Sequence, residues 1–150
     1  MAISVPVAGD PLAVTHHRNM SAGRQIFVPV AGLTVSPIHN GGVIAIATDA
    51  LTITLPLVSS LDPGFMITVI AHLAATGELI TIQSNAADAI FGIIGNVTGT
   101  NTCTLFTSNG TANNNIKLTK ATQRVDDWVT LMSNGLTDWM IVGGQGTWTN

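Results

Sequence analysis

The chain reads as an all-β protein: a compact antiparallel β-sandwich or barrel, jelly-roll-like, with an extended N-terminal arm. Three observations predict this. Apolar residues alternate with Thr at period two, as in Leu51-Thr-Ile-Thr-Leu55, which turns one strand face to a core and the other to water. Turn clusters break the chain at short intervals, and no segment beyond about ten residues carries a 3.6-residue period. Charged residues make up only 9% of the 150 residues while hydrophobic residues make up 46%; a typical soluble domain carries about 25% charge. Surface so poor in charge is usually covered by a partner, so an obligate oligomer or a component of a larger assembly is expected. The alternative is a monomer coated with Thr, Ser and Asn.

The elements follow in chain order. Residues 1–40 hold Pro6, Pro11, Pro29 and Pro37, four of the six prolines, and are assigned to a proline-rich arm; residues 41–150 form the β domain. Proline fixes φ and donates no ladder hydrogen bond, so this stretch is not a central strand throughout. Residues 1–25 are expected to be extended, and Ile26-Phe-Val-Pro-Val30 suits a short edge strand. Val43-Ile-Ala-Ile-Ala47 and Leu51–Leu55 are strands. Ser59-Ser-Leu-Asp-Pro-Gly64 is a turn in which Asp opens, Pro presets φ and Gly permits the closing geometry. Phe65–Ala71 reads as a largely buried strand, Thr76-Gly77 as a turn, Glu78–Gln83 as an alternating strand and Asp88–Gly92 as a shorter element. Residues 92–115 are rich in Gly, Asn and Thr and read as loop, with one strand at Cys103–Thr107; Ile116–Thr119 is another short strand. Asn134-Gly135 lies between two β-rich runs, the strongest short-range hairpin signal. Gly143-Gly-Gln-Gly146 then lets the chain leave the sheet and cross close to another backbone. Single helical turns fit only at 70–76 and 121–127.

Chemistry is sparse. A net charge of −3 and a pI near 5.6 argue against nucleic acid, which needs a basic patch. Lys117, Lys120 and Arg124 make at most one small basic spot. Cys103 is the single cysteine, so no internal disulfide forms, and in its strand-like setting a buried inert thiol is expected. No run approaches the roughly 18 apolar residues that span a bilayer, and the N-terminus lacks the basic start and apolar core of a secretory signal. Sequons at Asn19, Asn96 and Asn109 are chance products of a Thr- and Asn-rich chain. His16, His17, His39 and His72 have no metal-ligand spacing, so no metal and no cofactor is expected. No nucleophile motif occurs, and the glycines at 143–146 precede neither a Lys nor a helix that would hold phosphate. Asp126-Asp127 beside Trp128 is an adjacent pair, not the separated acid and base of a glycosidase, and capping a strand is its expected role. The chain is therefore expected to be non-enzymatic. Trp128 and Trp139 flank the hairpin and are expected on one side of it. With Trp148 they are either core residues or surface anchors, for a subunit contact or a glycan.

The order of certain segments is similar to something more specific. Thr54-Leu-Pro, Ser-Ser-Leu-Asp-Pro-Gly-Phe-Met-Ile-Thr-Val, Gly-Glu-Leu-Ile-Thr-Ile-Gln and Ala-Asp-Ala-Ile-Phe-Gly succeed one another. The chain closes on Asp-Trp-Val-Thr-Leu-Met-Ser-Asn-Gly and Asp-Trp-Met-Ile-Val-Gly-Gly-Gln-Gly-Thr-Trp-Thr. Across residues 50–92 and 126–149 this resembles a recurrent β module of tailed-phage virion proteins, most like a capsid decoration (cement) or head-fibre protein. The resemblance implies a homotrimer on the outer capsid surface that binds the major capsid protein and stabilises the shell. It implies no catalysis, no nucleic acid and no membrane. Low repetition and a proline-rich arm fit a cement protein better than a receptor-binding fibre. The alternative is a tail-fibre or head-fibre module binding a host receptor or surface glycan. The arm, with Pro6, Pro11, Arg18 and Arg24, is the expected capsid contact, and Trp128, Trp139 and Trp148 the expected trimer or surface contacts.

Overall fold

The computed structural model describes residues 24–48, 50–72, 80–97, 103–108, 110–112, 114–118 and 124–150. Pro6, Pro11, Arg18, His16, His17, Lys120, the Thr76-Gly77 turn and much of the two segments expected to make a helical turn lie outside the described residues. The described residues form thirteen strands: β1 (Ile26–Phe27), β2 (Leu33–Thr34), β3 (Val43–Ile46), β4 (Leu51–Thr54), β5 (Met66–Ala71), β6 (Ile80–Gln83), β7 (Ala89–Phe91), β8 (Ile93–Val97), β9 (Cys103–Thr107), β10 (Asn115–Leu118), β11 (Trp128–Ser133), β12 (Asp138–Gln145) and β13 (Trp148–Thr149). They form two open sheets. The larger runs β1-β3-β5-β11-β12-β8-β9, with β7 also on β12; the smaller runs β13-β10-β6-β4-β2. The chain is all-β and sandwich-like, and neither sheet closes into a barrel.

The pairing corrects one expectation. The sandwich is mixed, not antiparallel. β1, β3 and β5 are parallel to one another, as are β2, β4 and β6. The physical reason is connectivity. The first six strands alternate between the sheets, so β1–β2, β3–β4 and β5–β6 are three successive coils. Stacked coils pair parallel, whereas a jelly roll folds its strands back within a sheet. Antiparallel pairing enters at β10 on β6 and β11 on β5. These reversed strands end the coil stack on one side. On the other side β1 and β2 are the edge strands among the described residues, β1 at the place expected for Ile26-Phe27. β2 falls inside the segment assigned to the arm.

One core lies between the sheets. Ile44, Ile67, Val129 and Trp139 from the large sheet meet Ile53, Ile80, Ile82, Ile116 and Leu118 from the small one, all fully buried. Alternation explains the small sheet well: Leu51 and Ile53 are buried while Thr52 is exposed. Phe65 meets Trp139 edge-on at 5.9 Å between ring centroids, a favoured aromatic geometry. The Asp62-Pro63-Gly64 turn forms as expected. Phe65 N–H donates to the Asp62 carbonyl at 3.1 Å, and Gly64 takes φ +83°, a left-handed geometry glycine adopts without penalty.

Two loop assignments change. Residues 93–97 form β8, antiparallel to β9. Gly95 and Asn96 weaken the local β signal, but Asn96 has a partner across the sandwich. Trp148 N–H donates to its Oδ1 at 3.0 Å, and its Nδ2 donates to the Trp148 carbonyl at 3.2 Å. Gly143 and Gly144 do not release the chain; they lie within β12. The exit is at Gly146, with φ +127°, and there an added Cβ would meet Asp127 Cγ at 2.8 Å.

Candidate interaction surface

The outer faces of the two sheets differ in kind. On the small sheet, register places Thr52, Thr81, Lys117 and Thr149 in one outward row. Thr34, Thr54, Gln83 and Asn115 make the next. These polar rows suit water. On the large sheet, Met66, Met132, Met140 and Phe91 share one outward row. Ala45, Ile70, Trp128, Gln145, Gly95 and Leu105 share another. Ile93 lies on the same face, two residues before Gly95. Leu105 is 73% exposed, Ile93 54% and Phe91 45%. Asp138, at the start of β12, is the one charged residue in the described strands of this sheet, and Asn134 Nδ2 and Thr137 Oγ1 donate to its carboxylate.

Between the apolar rows sit two buried hydroxyls. Thr68 and Thr130 occupy adjacent positions on β5 and β11, and their Oγ1 atoms are 2.8 Å apart. Their polarity is thus satisfied within the face. Arg24, the one expected capsid-contact residue within the described chain, reaches this row: its Nη1 lies 3.5 Å from Thr68 Oγ1.

The tryptophans divide. Trp128 points outward, and a Cβ added at Gly143 would meet its indole at 3.1 Å, so the ring lies across that glycine. Trp139 and Trp148 are instead buried in the chain's own core, where Trp148 Nε1 donates to the Gln145 carbonyl at 3.0 Å. Trp128 and Trp139 therefore lie on opposite faces. β11 and β12 pair Trp128 with Gln145 and Ser133 with Trp139, and a bulge in β12 between those pairs resets the alternation.

Asp127 is buried beside Trp128. Its Oδ2 accepts the Arg124 N–H at 2.8 Å, a local cap as expected. Burial raises its pKa above the ordinary carboxylate range, opposed by that bond and by the Arg124 charge. Among the described residues no three His, Cys, Asp or Glu side chains gather as a metal site, and no helix is long and apolar enough to cross a membrane.

An apolar outer surface was expected from the composition, but not which sheet carries it, and a signal for that exists. Phe65-Met-Ile-Thr-Val-Ile-Ala71 is nearly continuous in apolar residues where Leu51-Thr-Ile-Thr54 alternates. A continuous run marks a strand that has apolar neighbours on both faces. No protein-family model matches the chain, and no curated protein matches it.

Proposed function

We propose that this chain is a non-catalytic structural protein of a tailed-phage virion, a trimeric capsid decoration protein that binds the major capsid protein on the outer head surface. The observation that carries the reading is the contrast between the sheets. The large sheet's outer face exposes Leu105, Ile93 and Phe91 with almost no charge. Such a face favours burial against another protein. The Thr- and Lys-bearing face of the small sheet suits the outside of the assembly. Attachment to the shell involves residues 1–40, the segment of Pro6, Pro11, Arg18 and Arg24. Many copies on one shell make weak single contacts sufficient. Immunogold labelling of virions with antibody against the chain tests this: label over the head supports the reading, and heads free of label contradict it.

One observation favours the fibre alternative. Trp128 lies outward over Gly143 with Gln145 beside it in the same strand pair, an apolar ring next to a polar amide of the kind that stacks a sugar. Label confined to the tail, together with glycan binding that Trp128→Ala abolishes, would favour that reading.

A further inference from the structure

Among the described residues the coil stack ends at β1 and β2, and the sequence of that end coil recurs upstream. We infer that residues 3–14 form one further coil, pairing in parallel with β1 and β2 of the same chain.

The first observation is an internal repeat. Ile3-Ser-Val-Pro-Val-Ala-Gly9 matches Ile26-Phe-Val-Pro-Val-Ala-Gly32 at six of seven positions. Leu12-Ala-Val14 then matches Leu33-Thr-Val35 at two of three, after Asp10-Pro11. The second copy is the first described coil: β1, a corner and β2. The inserted Asp-Pro falls at the corner, where a two-residue change is tolerated and the strands are left intact.

The second observation is spacing. Stacked coils place Ile26 beside Val43 and Val43 beside Thr68, 17 and 25 residues apart. Ile3 precedes Ile26 by 23. In the small sheet Leu33 lies beside Ile53, 20 residues on; Leu12 precedes Leu33 by 21. A repeat at this period stacks its units on sequence neighbours.

The third observation is the edge itself. Val43 N–H donates to the Gln25 carbonyl and Val35 N–H to the Thr54 carbonyl, so Gln25 and Val35 face inward to β3 and β4. Ladder alternation then turns the main-chain groups of Ile26 and Thr34 outward. The same coil exposes Ile26 at 65%, Val28 at 56%, Val30 at 84% and Ile38 at 60%. An edge with outward main-chain groups and apolar side chains is a template for one more strand in each sheet. The occupant is argued to be the same chain because Val14 and Ile26 are separated by a connection within the range the other coils use. The inference stands apart from the virion reading, and makes the N-terminal segment part of the body, with any shell contact on its outside.

The test is amide hydrogen exchange at Thr34, ten residues from the new terminus in a chain lacking residues 1–23. In the full chain Thr34 is expected to be protected, and deletion is expected to accelerate its exchange by about tenfold or more. Leu12→Asp in the full chain should do the same, since Leu33, its counterpart, packs against the core. Protection in the full chain should not change on dilution. Unchanged Thr34 exchange in both variants overturns the inference. So does protection lost on dilution, which would place the segment on a second copy.

Discussion

The side-chain amide of Asn114 closes a two-bond ring with the backbone of Ile90: Ile90 N–H donates to Asn114 Oδ1 at 2.8 Å, and Asn114 Nδ2 donates to the Ile90 carbonyl at 3.0 Å. The amide imitates a neighbouring strand on the side of β7 turned away from β12. The ring is extended by Ser108 Oγ, which accepts from Asn114 Nδ2 at 2.9 Å and donates to the Ile90 carbonyl at 2.6 Å. Ser84, the residue after β6, joins by donating to the Asn114 carbonyl at 2.9 Å. The network ties the corner before β7 to the segment entering β10, across the two sheets. Asn114→Ala leaves the buried Ile90 N–H without its acceptor and takes one of two donors from the Ile90 carbonyl, which keeps Ser108 Oγ, and should cost about 1–3 kcal/mol. Urea denaturation should show a lower midpoint with an unchanged slope.

Asn96 repeats the device with Trp148. Here the ring ties β13, the last strand of the small sheet, to β8 of the large one. Asn96→Ala should release β13 locally, at about 1–3 kcal/mol. Amide exchange confined to residues near 148, with the remaining core still protected, is the expected pattern.

Asp127 makes stability depend on pH in an unusual direction. Its folded pKa is raised by burial, so the folded chain holds the proton more tightly than the unfolded one. Its contribution is fully present below the unfolded value, about 3.9, and is lost as pH rises through the folded value. Asp127→Asn keeps an acceptor for the Arg124 N–H and removes the titration. The stability of the variant relative to the native chain should therefore rise with pH across that window and level off above it.

Attachment is expected to require the N-terminal segment. A chain lacking residues 1–25 should keep its sandwich core and trimer yet fail to co-sediment with phage heads. Full occupancy of heads by the truncated chain would remove the segment's assigned role.

The small sheet was legible because Leu51-Thr-Ile-Thr54 states its inside and outside residue by residue. The Asp62-Pro63-Gly64 turn and the Asn134-Gly135 loop were legible because their residues carry the conformation themselves. Asn134 Oδ1 accepts the N–H groups of Leu136, Thr137 and Asp138. The parallel coils were hidden by short connections. Only four residues separate Ile46 from Leu51, a length that equally suits a hairpin, and the strands nevertheless lie in different sheets. Alternation says which face is buried, never which neighbour a strand pairs with. Trp139 and Trp148 were ambiguous for a related reason: a large aromatic ring serves a core and an interface equally well. β8 was hidden because Asn96 is satisfied by Trp148, 52 residues away.

The central claim is that the large sheet's outer face joins copies of the chain. Sedimentation of the full chain beside Leu105→Lys and Thr52→Lys tests it most directly. Leu105 is outward on the apolar face, and Thr52 is outward on the polar one. The account predicts a trimer for the native chain and for Thr52→Lys. Leu105→Lys should dissociate to monomers, with association weakened by about 100-fold or more. A native chain that sediments as a monomer at every concentration, or a Leu105→Lys trimer as stable as the native one, would contradict it.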